Sequence, residues 1–385
     1  MTHARWFCLP LLITIAATTR SFAQPPPPLS SGFFAFPGSN PSPGSAISAG
    51  RGLSDRWLDD EPFDQPSLSG PSVIEVSPLL ARVSRQDLRA GNREYDETAA
   101  FFDFAGARLQ APAWKGLRFA AYAYQPTLRL EENAFTTGEE GGPVTPGTVQ
   151  TETHSREFRV GVAASWSVGP LTIGAAPEWN HESDEFTSIE QTGGPSSGTN
   201  TLKQSGDGVG GQAGVVWAAP DDRWMSLRVG LGARYLPKID LDATQRSELI
   251  AGTTESSFTV SRESAWEGGV SVSMLVTPTF RAMAGAGGRT AYDWTGLGLT
   301  TGTSTEWTLG GEFHAEEDPW TFRFGAGHEI HEGTPEPSAT RIGIGFGWRW
   351  DDLVLDVAAL RRNLERPDKP TSYDDRVVAS LTFHL

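Results

Sequence analysis

The chain predicts an all-β fold: a transmembrane antiparallel β-barrel of about fourteen strands with an N-terminal plug segment. Three observations predict it. From about residue 72 to the C-terminus, apolar residues alternate with small or polar ones, the period of a strand with two unlike faces. Tight turns and long polar connections also alternate strictly, as they do when short turns face the periplasm and long loops face outward. Beyond the first residues no apolar run is long enough for a spanning helix. A membrane-spanning structure must then be a closed barrel, because only closure leaves no unbonded edge.

Residues 1–23 read as a secretory signal peptide. Arg5 supplies the positive start, Trp6 to Ala17 the short apolar stretch, and Ser21-Phe22-Ala23 the small residues of a cleavage site. Cys8 lies inside the apolar stretch, which argues against lipoprotein cleavage. It is the only cysteine, so the mature chain is expected to have no disulfide, thiolate metal site or cysteine nucleophile. Cleavage also removes Arg5 and Arg20 and no acid, taking the net charge from −16 to −18. Such an acidic chain is a poor nucleic-acid binder, since that task relies on Lys and Arg to neutralise phosphates.

Residues 24–71 form a separate segment. Pro25-Pro26-Pro27-Pro28 favours an extended, solvated chain. Residues 39–52 are rich in Gly and Ser, and residues 51–64 are acidic, with Trp57 and Phe63. The segment has too few apolar residues for its own core, so it is either a linker or a plug packed inside something larger. Its scattered Trp, Phe and Leu favour the plug.

Residues 72–385 carry the barrel. Strands are expected near 73–85, 98–109, 116–130, 155–168, 171–184, 207–218, 224–240, 256–277, 279–292, 304–315, 320–330, 339–350, 353–364 and 373–385. Every second connection is tight: near Pro112, at Gly169-Pro170, Pro220-Asp221-Asp222, Thr277-Pro278, Glu317-Asp318-Pro319 and Asp351-Asp352. The others are long and polar, at 87–97, 131–154, 185–205, 242–255, 295–303, 332–338 and 365–371. The twelfth strand sets Ile342, Ile344, Phe346, Trp348 and Trp350 on one face and Gly343, Gly345, Gly347 and Arg349 on the other. Apolar faces are expected toward lipid, and small or polar faces toward the lumen. Trp114, Trp217, Trp224, Trp320 and Trp350 flank tight turns, where a periplasmic aromatic girdle belongs.

Few constellations suggest chemistry. His328-Glu329-Ile330-His331-Glu332 is one residue short of the zinc-protease pattern. On a strand its two histidines point to opposite faces, so no metal site is expected. His181 and Ser183 share a strand face but lack the third member of a triad, and the chain is not expected to be an enzyme or to need a cofactor. Glu131-Glu132, Glu139-Glu140 and Asp184-Glu185 are placed in long loops. There they either bridge divalent cations to lipopolysaccharide or only solvate the loops. Arg118, Arg159, Arg228, Arg234 and Arg323 fall on small or polar strand faces and are candidate lumen charges. They meet either a substrate carboxylate or plug acids such as Asp59, Asp60, Glu61 and Asp64. Pro126 interrupts the third strand and marks either a kink in the wall or the strand's outer end.

The strand count, the plug-like segment and two hairpins together resemble the FadL/TodX family of outer-membrane transporters for long-chain fatty acids and hydrocarbons. Residues 208–217 with 220–227 resemble the family's central hairpin, and residues 306–313 with 320–325 a later one. The Pro335-Glu336-Pro337 loop and the strand pair after it fit as well. Gln65-Pro66-Ser67 occupies the place of the family's Asn-Pro-Ala plug motif, with two of its three residues replaced.

The resemblance implies a passive outer-membrane channel for hydrophobic small molecules such as long-chain fatty acids, with lateral release through a gap in the wall. Gln65, Pro66 and Ser67 would be the plug residues near a kink at Pro126. A buried methylene is worth roughly 0.8 kcal/mol, so an apolar path with sideways exit suits a fatty chain better than a water-filled pore. The expected partners are outer-membrane lipid and lipopolysaccharide, the hydrophobic substrate and the barrel assembly machinery. The last strand, 376–385, keeps the apolar alternation such machinery reads. Two other readings stay open: a structural or surface-interaction barrel that transports nothing, and an open porin for polar solutes.

Overall fold

A computed structural model of the chain describes residues 73–88, 91–97, 104–111, 114, 116–137, 147–191, 197–219, 226–250, 252–295, 299–314, 319–332, 338–366 and 369–384. Residues 1–72 lie outside the described residues, and with them the expected signal peptide, the segment 24–71 and the Gln65-Pro66-Ser67 motif.

Nineteen β-segments follow one another: β1 (Val73–Leu88), β2 (Gly91–Glu97), β3 (Phe104–Gln110), β4 (Leu117–Thr137), β5 (Gly147–Val168), β6 (Leu171–Gln191), β7 (Gly198–Ala218), β8 (Arg228–Leu236), β9 (Ile239–Leu249), β10 (Gly252–Arg262), β11 (Ala265–Thr277), β12 (Phe280–Arg289), β13 (Tyr292–Thr295), β14 (Leu299–Thr301), β15 (Thr303–His314), β16 (Trp320–Glu332), β17 (Ser338–Trp350), β18 (Leu353–Arg366) and β19 (Lys369–His384). All pairings are antiparallel. Ten of the segments act in pairs as single wall strands. β2 and β3 take the upper and lower stretches of one edge of β1. β8 and β9 do the same along β7. β10 with β11, β12 with β13, and β14 with β15 continue the pattern. Among the described residues, nineteen segments therefore make fourteen wall strands, the number the sequence predicts. The other edge of β1 pairs with β19 over Val73–Gln86, so the ladder that leaves β1 through β3 and β4 returns to β1.

Among the described residues, the tight connections at Gly169-Pro170, Thr277-Pro278 and Asp351-Asp352 lie where the sequence places them; 112–113, 220–222 and 317–318 lie outside the described residues. Gly169-Pro170 and Asp351-Asp352 are two-residue turns, and Gly169 and Asp351 both adopt positive φ (58° and 44°). The long connections differ from expectation. Residues 131–137, 147–154, 185–191, 198–205, 242–249 and 252–255 are strand, not loop. Glu131, Glu132 and Asp184-Glu185 therefore sit in ladders, and Asp184 is buried, accepting a 2.7 Å hydrogen bond from Gln204. The reason is physical. Beyond the lipid the outer face of a hairpin meets water, so the apolar alternation weakens while backbone pairing continues.

The two faces of the wall are opposite in character. Val160, Val162, Trp166, Ile173, Leu231, Leu309, Phe324, Ile342, Ile344 and Phe346 are all exposed. A continuous apolar surface of this size is not compatible with water, and it is the lipid face of a spanning barrel. Trp114, Trp217 and Trp350 are exposed near the tight turns as expected, joined by Trp166. Trp224 lies outside the described residues. A second belt, missed in the sequence, holds Trp179, Trp266 and Trp307. Trp166 faces Ile173, and Trp179 is six residues further along β6, about 20 Å along the strand.

Candidate functional site

The inner wall carries two layers. The lower is a charged belt. On β4–β8 and β11, Glu178 accepts from the Tyr122 hydroxyl at 2.8 Å, and Gln212 donates to the same hydroxyl at 2.8 Å. Arg234 lies 3.5 Å from Glu178 and 3.7 Å from Glu267 and donates to Gln212 at 3.0 Å. Arg159 pairs with Glu157 at 2.9 Å and donates to the Tyr124 hydroxyl at 3.2 Å. Arg262 of β10 reaches Glu182 of β6 at 2.6 Å and Glu157 of β5 at 3.8 Å. β7 and β9 lie between β6 and β10 in the ladder, so these contacts run through the interior. That fixes which face is the lumen side.

A second charged group lines β15–β18. Arg323 pairs with Glu312 (2.8 Å) and Asp356 (2.5 Å), Arg341 with Glu306 (2.5 Å), and Arg362 with Glu329 (3.4 Å). Arg323 and Asp356 meet across β17 over Gly347, where a Cβ would collide with both charged ends. The glycine stripe of β17 leaves room for that ion pair. Buried charge is tolerated only when paired and hydrogen-bonded, and both groups meet that condition.

The upper layer is apolar. Leu202, Leu236, Ile239, Leu241, Ala243, Val260, Ala265, Tyr292 and Trp294 form one cluster, with Phe186 and Phe258 packed against it. Val260 is two residues from Arg262 on the same strand face, so the cluster shares the lumen side. Ile239, Leu241, Val260 and Trp294 are fully covered, at 0% exposure. Four of the described wall strands are interrupted at this level, at 237–238, 263–264, 290–291 and 302. At the first interruption the inward series runs Arg234, Leu236, Ile239, Leu241. Pro237 is buried as well, beside Gly208 and Gly210, and only Lys238 is exposed, so the series changes parity without turning apolar residues outward.

Of the arginines the sequence singles out, Arg159, Arg234 and Arg323 are buried within the charged groups. Arg118 is half-buried and donates to the Ser167 hydroxyl at 2.7 Å. Arg228 lies at the tight-turn end of β8. The structure gives the three buried arginines wall partners that sequence reasoning missed: Glu157, Glu178, Glu267, Glu312 and Asp356. Each acid alternates with apolar residues on its own strand, and that alternation was the available signal. Pro126 is not the end of its strand, because β4 continues to Thr137. It falls where the β4–β5 register shifts, between Tyr124 and Thr127. His328 and His331 point to opposite faces. His328 shares the outer face with Trp307 at 6.2 Å, and His331 is covered beside Glu329 at 3.1 Å. His181 is on the outer face, 2.9 Å from Asp207 and stacked on Trp179. Among the described residues no cluster of three metal-ligating side chains occurs.

No protein-family model matches the chain, and no curated protein matches it in sequence. Solved structures do. A FadL homologue of Pseudomonas aeruginosa is similar with a TM-score of 0.63 at 13% identity, over 88% of this chain and 98% of that one. The Pseudomonas putida toluene transporter TodX gives 0.60 at 13% identity, over 89% and 98%. The Ralstonia pickettii toluene transporter TbuX gives 0.60 at 12%, over 90% and 99%. The fold the chain shares with the FadL homologue and the two toluene transporters is the one its hairpin order and strand count predict.

Proposed function

We propose that the chain is an outer-membrane channel for passive uptake of hydrophobic small molecules. The observation that carries this is the apolar layer on the lumen side, centred on Ile239, Leu241, Val260 and Trp294. A pore for polar solutes has a polar interior and gains nothing from buried tryptophan and branched aliphatics there. A hydrophobic solute gains roughly 25 cal/mol for each Å² of apolar surface it removes from water. The charged belt below disfavours the straight route for a fatty or aromatic molecule, which gains nothing from passing along a wall of buried ion pairs. The fold shared with a FadL homologue and toluene transporters supports the same reading. Within it, the substrate is a long-chain fatty acid or similar apolar molecule, residues 24–71 act as the plug, and release is lateral through the wall. Lipopolysaccharide and lipid surround the wall, and the barrel assembly machinery inserts it.

The test has two parts. Cells carrying the chain should take up radiolabelled oleate or toluene faster than cells without it, and substituting Trp294 by Ala should slow that uptake severalfold. In a planar bilayer the refolded barrel should be nearly silent, and deletion of residues 24–71 should open a steady conductance. A large conductance from the intact chain, with no hydrophobic uptake, would make it a porin.

A further inference from the structure

The seam between β5 and β6 has one interruption in its middle. The strands pair up to Gly161–Glu178 and again from Ala164–Ala175 in the same register, while Val162-Ala163 and Ala176-Pro177 are left unpaired. Pro177 has no N–H to give, so the Val162 carbonyl loses its ladder donor. Proline inside a sheet belongs at an edge or a bulge. A wall facing hydrocarbon has no water to replace the missing bond, so this is the worst place for one unless the seam has a use.

The position has three further properties. It lies between Trp166 and Trp179, inside the outer apolar band, with Val162 and Pro177 on the exposed face. On the lumen side the seam is thin, because Ala163 and Ala176 belong to a small apolar cluster with Ala120, Tyr122 and Tyr124. And the ring of Tyr122 lies over Gly161 so closely that a Cβ there would overlap it. The Tyr122 hydroxyl is held by Glu178, the residue next to Pro177, and by Gln212. Pro126, by contrast, lies level with Phe158, which faces His181 beyond Trp179. An opening there would face lipid headgroups, not acyl chains.

We propose that the β5–β6 seam at Pro177 is the lateral exit for hydrophobic molecules, with Tyr122 as its inner shutter and the Glu178–Gln212–Arg234 group as the latch. The proposal rests on the uptake function above and deepens it by placing the exit. Opening needs the Tyr122 ring to swing off Gly161 and the flanking strand pairs to part, and one ladder bond of that stretch is already absent. The molecule then passes between alanines from the lumen into the lipid.

A disulfide across the seam tests this, because the only native cysteine, Cys8, lies in the leader. Ala163→Cys with Ala176→Cys places two facing side chains on neighbouring strands, a spacing a disulfide can bridge. Ser167→Cys with Thr172→Cys, whose native hydroxyls are 2.9 Å apart on the same strands, is the control. Uptake of radiolabelled oleate and toluene is measured in oxidised and reduced cells, with barrel levels in the membrane checked for each variant. The expected result is at least a tenfold loss in the oxidised seam pair, restored by reductant, and no loss in the control. Unchanged uptake through the locked seam overturns the exit and leaves the uptake function standing, and loss in Pro126→Ala instead would move the exit to β4. No uptake by the wild-type chain would sink the function and the exit with it. If the cysteine pair does not assemble, Pro177→Val decides the question. Restoring the amide should slow uptake severalfold, and unchanged uptake overturns the proposal.

Discussion

The wall has a regular side and an irregular side. From β15 to β17 the ladders run without a shift: Thr303–His314 against Thr321–Glu332, and Trp320–Glu329 against Ala339–Trp348. On the other side, β4 shifts register near Pro126, β6 carries Pro177, and four of the described wall strands break beside the apolar layer. Both sides bury ion pairs, so burying charge is not what separates them. On the regular side Arg323, Glu312 and Asp356 fill the space over Gly347 and complete a rigid wall. On the irregular side the same kinds of residue hold tyrosines and surround the apolar layer. Departures from local rules gather at sites of function, and here they gather around one part of the lumen.

The largest expected effect would show both sides to be equal in stability. Glu178→Ala leaves Arg234 and the Tyr122 hydroxyl without their main acceptor, and Asp356→Ala does the same to Arg323. Each should cost about 3–5 kcal/mol, because a buried guanidinium loses one of its two carboxylate partners. Equilibrium unfolding of the refolded barrel in lipid vesicles measures it. The sides should part in transport: the milder Glu178→Gln should alter hydrophobic uptake and Asp356→Asn should not. Equal effects on uptake would remove the distinction drawn here.

Next comes the lipid face. Ile344→Arg puts a charge in the apolar band of the regular side and should cost about 2–4 kcal/mol, read by the same unfolding experiment. A similar charge at the level of His181, beyond Trp179, should cost much less. If the two cost the same, the second tryptophan belt does not mark a lipid boundary.

Smaller again are the two close glycines. Gly347→Ala crowds the charged ends of Arg323 and Asp356, and Gly161→Ala crowds the Tyr122 ring. Overpacking of this kind costs about 1–3 kcal/mol. The consequences for uptake should differ. Alanine at 161 lifts the shutter and should raise uptake severalfold, whereas alanine at 347 should leave it unchanged.

The regular side was also the more legible one. The alternation over residues 342–347 assigns the faces of β17 correctly, because lipid and lumen impose unlike demands on neighbouring residues. Outer extensions such as 242–249 read as loops in the sequence, since water on the outer side weakens the contrast that marks a strand. Arg234 was placed toward the lumen by its glycine and serine neighbours, but its partners Glu178 and Glu267 lie on other strands. Register across several strands is not written in any one of them. The apolar layer was hidden for a related reason. The break at Pro237-Lys238 changes the inward parity, so Ile239 and Leu241 continue the lumen face of Arg234 and Leu236 while a strict period of two would turn them to lipid.

The smallest effect lies above the irregular side, outside the lipid band. On β9, Asp240 accepts a 2.5 Å hydrogen bond from the Ser261 hydroxyl and lies 3.5 Å from Lys238. The Ser261 bond, with help from the Lys238 charge, holds the Asp240 carboxyl below its ordinary value of 3.8. A depressed carboxylate stabilises the fold above the unfolded value, and the benefit disappears as pH falls through the folded one. Asp240→Asn should therefore weaken the barrel slightly at neutral pH, and the difference from wild type should close in strong acid. Ser261→Ala should behave alike, because it removes the main cause of the shift. Both side chains are exposed, where such pairs contribute little. The effect should fall below that of any buried substitution above. A pH-dependent loss as large as that of Glu178→Ala would mean that the hairpin above the apolar layer bears on the stability of the whole irregular side.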